Sequence, residues 1–260
     1  MPEDKGWAML DEKPANCQMN DADWNETVRQ QGDILHRLIR RETSREKVRL
    51  LDCSGGSGAW AIGLARYGHA VTAAGMSPAV TERVRREAAT AGVVIASGAA
   101  DVRSLAITVP GCFDVVLAGG SSLSHLLTDA DQWLAAKNMW QKLETDGLLL
   151  ISYRDYERRC SAQLWTQAPH GGDGEKQIVF QHRDWLEREN IHTVNDFVIR
   201  AKDGHWETEH STTLYRALSR EEMAAVLSGT GFEAVKWHDP AVTGYKQPIV
   251  TARKRIRGEP

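Results

Sequence analysis

The feature that most constrains the fold is a regular alternation of short apolar runs with amphipathic stretches through the first 150 or so residues. The apolar runs are short and bounded by charge or glycine, which is typical of buried strands: Val48–Cys53, Ala70–Ala74, Val93–Ser97, Phe113–Ala118 and Leu148–Tyr153. The stretches between them have helical spacing: Asp23–Arg41, the segment around Ile62–Ala65, Pro78–Ala91 and Asp129–Leu143. Strands that alternate with helices in this way predict a parallel, doubly wound α/β sheet.

The pattern changes in the second half of the chain. Three polar-alternating runs joined by turns, Gln177–Trp185, Ile191–Ala201 and His205–Leu214, predict an antiparallel block. A helix follows over Ser219–Ser228, and Ser219 with Glu222 forms a capping box at its start. Two last strands are predicted near Phe232–Trp237 and Pro248–Ala252. We therefore expect an α/β domain that carries an antiparallel insertion.

Charge and composition exclude several classes of protein. The net charge of −3 argues against a nucleic-acid binder held by bulk positive charge. No apolar run approaches the length of a membrane span, and the start of the chain lacks the layout of a signal peptide. The four cysteines lie far apart, without the spacing of a zinc site or a disulfide framework. We expect a soluble, cytoplasmic protein whose partner is a small molecule, and the oligomeric state stays open.

A glycine-rich turn follows the first strand and is the strongest binding signal. Leu51–Gly58 reads LDCSGGSG, and glycines at a strand-to-helix turn let the backbone approach a ligand beside free N–H groups. The spacing matches neither the dinucleotide fingerprint nor the phosphate-binding loop of nucleotide hydrolases. On this turn alone, a ligand site and a tight turn without a ligand both remain possible.

Several motifs in order give a resemblance to a known family. Asp52, Gly55 and Gly58 form acidic–x–x–Gly–x–x–Gly, and further matches follow later strands: GAADVR at 98–103, SSLSHLL at 121–127, ISYRDY at 151–156 and GYKQP at 244–248. The chain resembles class I S-adenosylmethionine (SAM) methyltransferases, over about residues 22–254. Within that class it is similar to the glycine/sarcosine N-methyltransferase group, and most of all to bacterial toxoflavin-type (azapteridine) N-methyltransferases.

The resemblance implies an architecture and a cofactor. The fold would be a Rossmann-like seven-stranded sheet with an antiparallel β insertion, at about 157–216, that covers the substrate pocket. Residues 1–21 would form a flexible arm before a methyltransferase domain at 22–260. SAM would be the cofactor, and the residues that the resemblance places around it are Arg29, Asp52, Ser54, Gly55, Gly58, Gly75, Asp101, Val102 and Gly119.

The resemblance also assigns roles within this set and at the substrate. Arg29 would bind the SAM carboxylate, because a guanidinium fork matches that group, and Asp101 would accept from the adenine amine. Substrate contacts would come from Trp24, Ser121, His125, Arg154 and Tyr245. The predicted catalytic groups are His125, Arg154 and Tyr156, with His125 as the base for an acceptor that arrives protonated.

Three departures from the family pattern leave the direction of methyl transfer open. Gly75 stands where an acidic residue usually accepts from the SAM ribose, Trp60 replaces a smaller or polar residue, and Ser121 replaces an asparagine. The first hypothesis is a SAM-dependent N-methyltransferase of a planar nitrogen heterocycle or an amino acid. The alternatives are an enzyme that no longer uses SAM, such as an N-demethylase of an N-methylated heterocycle, and a binding protein on an inactive fold.

Overall fold

A computed structural model describes residues 21–54, 56–75, 78–120, 122–154, 165–167, 177–186, 190–202 and 204–255. The helices are α1 Asp21–Thr43, α2 Ala59–Arg66, α3 Pro78–Thr90, α4 Leu105–Thr108, α5 Asp129–Lys142, α6 Arg220–Gly229 and α7 Pro240–Thr243. The strands are β1 Arg49–Asp52, β2 Ala70–Gly75, β3 Ala96–Ala99, β4 Phe113–Ala118, β5 Leu143–Ser152, β6 Trp165–Gln167, β7 Gln177–Leu186, β8 Ile191–Lys202, β9 His205–Arg216, β10 Phe232–His238 and β11 Ile249–Lys254. The predicted arm at 1–21 lies almost wholly outside the described residues.

The main sheet has seven strands in the order β10-β11-β5-β4-β1-β2-β3. The five strands from β1 to β5 pair in parallel, whereas β11 pairs antiparallel with both β5 and β10. The strand order reverses between the neighbouring strands β1 and β4: the chain runs from β1 outward to β2 and β3 on one side, and from β4 outward to β5 on the other. A doubly wound sheet binds ligands outside the carboxyl ends of its strands at such a point.

Successive residues of the central strands face two apolar layers, which is why these strands are almost uniformly hydrophobic. Leu51 and Leu149 point to a cluster that includes side chains of α4, α5 and α6. Leu50 and Leu148 point to the opposite cluster, with side chains of α1, α2 and α3. The expected α/β architecture is thereby confirmed, with a helical layer on each face.

A second, antiparallel sheet has the order β6-β7-β8-β9. Its long strands pair residue for residue, for example Gln181 with Asp196 and His192 with Tyr215. The end of β9 contacts the short 3₁₀ turn Ser122–His125 that follows β4. The insertion therefore lies next to the carboxyl edge of the main sheet.

Two strands differ from the sequence-based prediction by more than two residues at one end. The third strand is Ala96–Ala99 rather than Val93–Ser97, because Gly92 (φ 69°) ends α3 and Val93 donates back to the carbonyl of Ala88. The fifth strand begins at Leu143 rather than Leu148. There Phe113 pairs with Leu143 and Val115 with Leu148, so β5 carries extra residues as a bulge.

Among the described helices, none is long and apolar enough to cross a membrane.

Candidate active site

The carboxyl ends of β1 and β4 are joined by one serine. Ser54 Oγ donates to Asp52 Oδ1 at 2.5 Å and accepts from the Gly119 backbone N–H at 2.6 Å. Ser54 N also donates to Asp52 Oδ1, at 3.0 Å. The serine thus holds the glycine-rich turn and the loop after β4 at a defined separation.

Asp52 is a buried carboxyl at the end of β1. It is 5% exposed, and burial raises its pKa, although hydrogen bonds from Ser54 and the Ala61 backbone oppose that shift. The neighbouring Cys53 thiol is also buried and donates to the Leu117 carbonyl. Burial raises the thiol pKa, so Cys53 stays a neutral core side chain.

The glycine-rich turn has space on one side and close packing on the other. Gly58 has φ 84°, and a Cβ there would lie 2.7 Å from Val84 Cγ2, so only glycine fits. A Cβ at Gly56, by contrast, would meet no heavy atom within 4 Å. The turn therefore offers open backbone at the start of α2, as a ligand that approaches main-chain N–H groups requires.

A second hydrogen-bonded group joins β4, β5 and the segment before β11. Gly120 N donates to Ser152 Oγ at 2.8 Å, and Trp60 Nε1 donates to Tyr245 Oη at 3.2 Å. Tyr245 also hydrogen-bonds with Ser152, and burial raises the pKa of its phenol to about 12. A Cβ on Gly119 would lie 2.7 Å from the Trp60 ring, so Trp60 fills the space below the loop after β4.

A narrow recess lies between the end of β2 and the start of α3. Its lining includes Asp52, Gly56, Gly75, Thr81 and Ser97. A Cβ on Gly75 would sit 3.1 Å from Thr81 Oγ1 and 3.2 Å from Val80 Cγ1. Ser97 Oγ is buried and has no hydrogen-bond partner among the residues that the structure describes. The recess therefore presents hydroxyl groups where the resembled family has a carboxylate, and a polar ligand such as a ribose fits that chemistry.

Asp101 and Val102 stand at the end of β3, as the resemblance requires. Asp101 Oδ1 accepts from Arg103 N at 2.8 Å, and its Oδ2 accepts from Arg103 Nη2 at 2.7 Å. These bonds lower the pKa of the Asp101 carboxyl. The carboxylate stays ionised and keeps lone pairs for one more donor, while Val102 is partly buried against the core.

Two predicted residues on α1 lie in different surroundings from one another. Arg29 is exposed and pairs with Glu26 at 2.6 Å, so contact with a SAM carboxylate would require that ion pair to open. Trp24 is half-buried against an apolar cluster of Val28, Ala59, Ile62 and Ala88. The roles predicted for Arg29 and Trp24 are contacts with ligands, so the contacts between described residues do not test them.

His125 and Arg154 lie at the carboxyl edge, in agreement with their place in the sequence. The exposed His125 ring packs on Tyr215 of β9, with centroids 4.6 Å apart. Arg154 follows β5, and its Nε and Nη2 are buried without a hydrogen-bond partner. The predicted site residues Gly55, Ser121 and Tyr156 lie outside the described residues.

Sequence reasoning missed four polar residues at this edge: Ser97, Ser152, Thr81 and Gln247. Ser152 was part of a motif but received no role, although it joins Gly120 to Tyr245. Gln247 is 4% exposed, and neither atom of its amide has a partner. Small polar residues in apolar strands give no distinctive signal; the clue was that Ser152 lies inside the motif ISYRDY and Gln247 inside GYKQP. The described residues contain no group of three or more metal-ligating side chains.

The strand order, the antiparallel β11 and the glycine-rich turn are those of the Rossmann-like fold of methyltransferases. Residues 50–147 match the family model described as a methyltransferase domain. The match begins in β1 and ends in β5, so it contains the glycine-rich turn, Asp101 and the loop after β4.

Curated proteins with similar sequences are N-methyltransferases. Part of the chain is 31% identical over 136 residues to the glycine/sarcosine N-methyltransferase of Parasynechococcus marenigrum, which covers 52% of this chain and 47% of that protein. The enzyme of the same name from Halorhodospira halochloris is 24% identical over 135 residues, covering 52% and 49%. The matched segments thus span about half the length of these relatives.

Solved structures extend the similarity in fold to nearly the whole chain. An amino pentose methyltransferase from Micromonospora echinaspora, solved with SAM bound, has a TM-score of 0.75 at 18% identity, covering 94% of this chain and 99% of that one. A sugar N-methyltransferase from Streptoalloteichus has a TM-score of 0.75 at 15% identity, covering 94% and 97%. At such identities the likeness shows the fold alone.

Proposed function

We propose that this chain is a SAM-dependent N-methyltransferase that acts on a small molecule, either a planar nitrogen heterocycle or an amino acid. The observation that carries the proposal is the link from Asp52 through Ser54 to Gly119. It places an open glycine-rich turn opposite the loop after β4, at the reversal point of the sheet. The match to the methyltransferase family over the same residues supports this assignment.

The polar and charged groups of the described residues match the chemical groups of SAM, an adenosyl sulfonium. The open backbone at Gly56 and the start of α2 would receive its methionine part, and Arg29 its carboxylate once released from Glu26. Thr81 and Ser97 would face the ribose in place of the usual carboxylate, and Asp101 would accept from the adenine amine. Bound SAM supplies an activated methyl group on a positively charged sulfur.

The chain's own contribution would be mainly orientation. A sulfonium leaves as a neutral thioether, so the enzyme needs to align the acceptor nitrogen with the methyl group rather than to activate the donor. The backbone N–H groups of Gly119 and Gly120 are held by Ser54 and Ser152. These hydrogen bonds would fix the loop along which the methyl group passes from the sulfur to the acceptor nitrogen. His125, exposed beside Tyr215, would take the proton of an acceptor that arrives as a cation.

The demethylase hypothesis was based on Gly75 and Trp60, and both residues have structural roles that are compatible with methyl transfer to an acceptor. Trp60 packs under Gly119 and donates to Tyr245. Gly75 lies against Val80 and Thr81, where a larger side chain would be crowded. No contact among the described residues favours N-demethylation, so transfer from SAM to an acceptor is the direction we propose.

Calorimetric titration with SAM and with S-adenosylhomocysteine tests the proposal. We expect micromolar binding of both by the wild-type protein. Ser54→Ala should weaken binding about tenfold, because it removes the two side-chain hydrogen bonds that hold the turn to Asp52 and to Gly119. Ser228→Ala, on the exposed side of α6, is the matched control and should bind like the wild type. If neither ligand bound at millimolar concentration, SAM dependence would be refuted.

A further inference from the structure

Gln247 carries a buried amide that has no hydrogen-bond partner among the described residues. The residue is 4% exposed, and neither its Nε2 nor its Oε1 has a hydrogen-bond partner. A buried amide without partners costs the free energy of its desolvation, so most buried amides in native proteins are paired. Its presence in the interior therefore requires a compensating role.

Gln247 lies at the end of the strand pair that leads to the active-site edge. Ser152 pairs with Ile249, and Tyr153 N donates to the Pro248 carbonyl at 3.2 Å, which continues the β5–β11 ladder by one pair. Arg154 follows Tyr153 on the β5 side of this ladder, and Gln247 precedes Pro248 on the β11 side. Both thus leave the ladder at the same place, beside the network of Ser152 and Tyr245.

The same edge contains two other polar groups without partners. Arg154 has buried Nε and Nη2 atoms and Ser122 has a buried Oγ, and within the part of the chain that the structure describes none of these atoms has a hydrogen-bond partner. Ser122 follows β4, which is the neighbour of β5 in the sheet. A guanidinium, an amide and a hydroxyl therefore stand unsatisfied around the ends of three adjacent strands. Such a set is complementary to a polar ligand rather than to the protein.

We propose that Gln247 is a specificity-determining residue for the methyl acceptor, and that the acceptor presents a lactam or amide edge to it. The proposal rests on the proposed function, since it concerns the substrate of that same site. A glutamine amide has a donor and an acceptor side by side in one plane, which match the adjacent C=O and N–H of a lactam. The Arg154 fork would bind a further carbonyl or anionic oxygen, and Ser122 a third polar atom.

Aromatic rings on the neighbouring sheet favour a flat acceptor. His125 packs on Tyr215, Tyr215 stacks on His192 at 5.6 Å, and His192 packs on Trp185 at 4.8 Å. This row of rings runs from the loop after β4 into the second sheet. His125 is the exposed end of this row, since Tyr215 is 8% and His192 0% exposed. A planar acceptor could stack on His125, whereas an sp³ amine offers no flat face.

The first experiment compares the thermal stability of Gln247→Met with that of the wild type. Methionine keeps the volume but removes both polar atoms, so loss of an unsatisfied amide should raise the unfolding temperature by about 2–4 °C. A lowered unfolding temperature would show that Gln247 has a structural role and would overturn the proposal. Gln141→Met, on the exposed side of α5, is the matched control and should leave the unfolding temperature unchanged.

The second experiment measures methyl transfer from labelled SAM to defined acceptors: uracil, xanthine and lumazine as lactams, and glycine and sarcosine as amino acids. We expect turnover of at least one lactam, and a loss of about 10- to 100-fold in kcat/KM in Gln247→Met, with SAM affinity unchanged. Gln247→Glu should lose activity as well, because it keeps the acceptor but lacks the amide donor. Transfer to glycine or sarcosine alone would refute the lactam assignment.

Failure of the proposed function is distinguishable from failure of this inference. If SAM does not bind to the wild type, the methyltransferase assignment fails, and calorimetric binding of the same lactams to the protein still tests Gln247. If SAM binds but no lactam binds in the presence of S-adenosylhomocysteine, the proposed function stands and the role of Gln247 is refuted.

Discussion

Gly75 departs from the residue type of the resembled family without changing the fold. It ends β2 at the position where the resembled family usually has an acid, and its carbonyl accepts from Ala100 N at 2.8 Å. The start of α3 occupies the space that a side chain would need, because a Cβ at this position would lie 3.1 Å from Thr81 Oγ1. A ribose would therefore meet hydroxyl groups here instead of a carboxylate.

Gly75→Asp should tighten SAM binding by about tenfold relative to Gly75→Ala, because an ionised acceptor forms stronger hydrogen bonds to ribose hydroxyls. The alanine variant is the matched control, since it introduces the same crowding against Thr81 and Val80 without a carboxylate. Calorimetric titration of both variants with SAM provides the measurement. Equal affinities in the two variants would show that the ribose does not lie at the end of β2.

At the scale of elements, a histidine pair joins α1 to the segment before β2. Val48 N donates to His69 Nδ1 at 3.3 Å, so the neutral His69 ring carries its proton on Nε2 and donates it to His36 Nδ1 at 3.0 Å. His36 also stacks on Tyr67, with centroids 4.1 Å apart. Burial, with His36 and Lys47 nearby, lowers the pKa of His69 to about 4.

The free energy of unfolding should fall as the pH is lowered from about 7 to 4. In that range the unfolded chain binds a proton at His69, with a pKa near 6.5, whereas the folded protein does not. The loss should be about 3 kcal/mol at most. His69→Gln should flatten this part of the pH profile in urea unfolding, while His205→Gln, exposed on β9, should not. An unchanged slope in His69→Gln would contradict the assignment.

At the scale of the whole molecule, Arg216 connects the second sheet to two helices of the main domain. It ends β9, is 12% exposed in its side chain, and pairs with Asp129 of α5 at 2.5 Å and with Glu222 of α6 at 3.3 Å. Glu222 also closes the capping box with Ser219, which confirms the helix start that the sequence predicts. The antiparallel sheet is therefore tied to the main domain close to the loop after β4.

Arg216→Ala should loosen the attachment of the second sheet, at a cost of about 1–3 kcal/mol in the free energy of unfolding. Hydrogen exchange should increase at the end of β9, and SAM binding should change less than in Ser54→Ala, because Arg216 contacts Asp129 and Glu222 rather than the glycine-rich turn. Arg200→Ala is the matched control, since Arg200 pairs with Glu209 inside the second sheet. Equal exchange at the end of β9 in both variants would contradict a linking role for Arg216.

The strand-and-helix alternation and the motif order were sufficient to predict the architecture. Buried parallel strands must be apolar on both faces, and the helices between them need one apolar side, so both leave a periodic signal along the chain. The antiparallel insertion and the capped helix α6 were predictable for the same reason. The position of the third strand could not be predicted in this way. The apolar residues Val93–Ile95 look like the start of a strand, but Val93 and Ile95 pack against the cluster that includes Ala88, at the end of α3, instead.

The candidate site was only partly accessible from sequence. The glycine-rich turn, Asp101 and Arg154 were recognisable because their positions follow strand ends in a known order, and the family match covers the first two. The amide of Gln247, the hydroxyl of Ser97 and the bridging role of Ser152 depend on distances across strands far apart in the chain. The sequence by itself determined the order of strands, helices and motifs along the chain. Tertiary structure alone decided which polar atoms have partners, because hydrogen bonding depends on three-dimensional proximity.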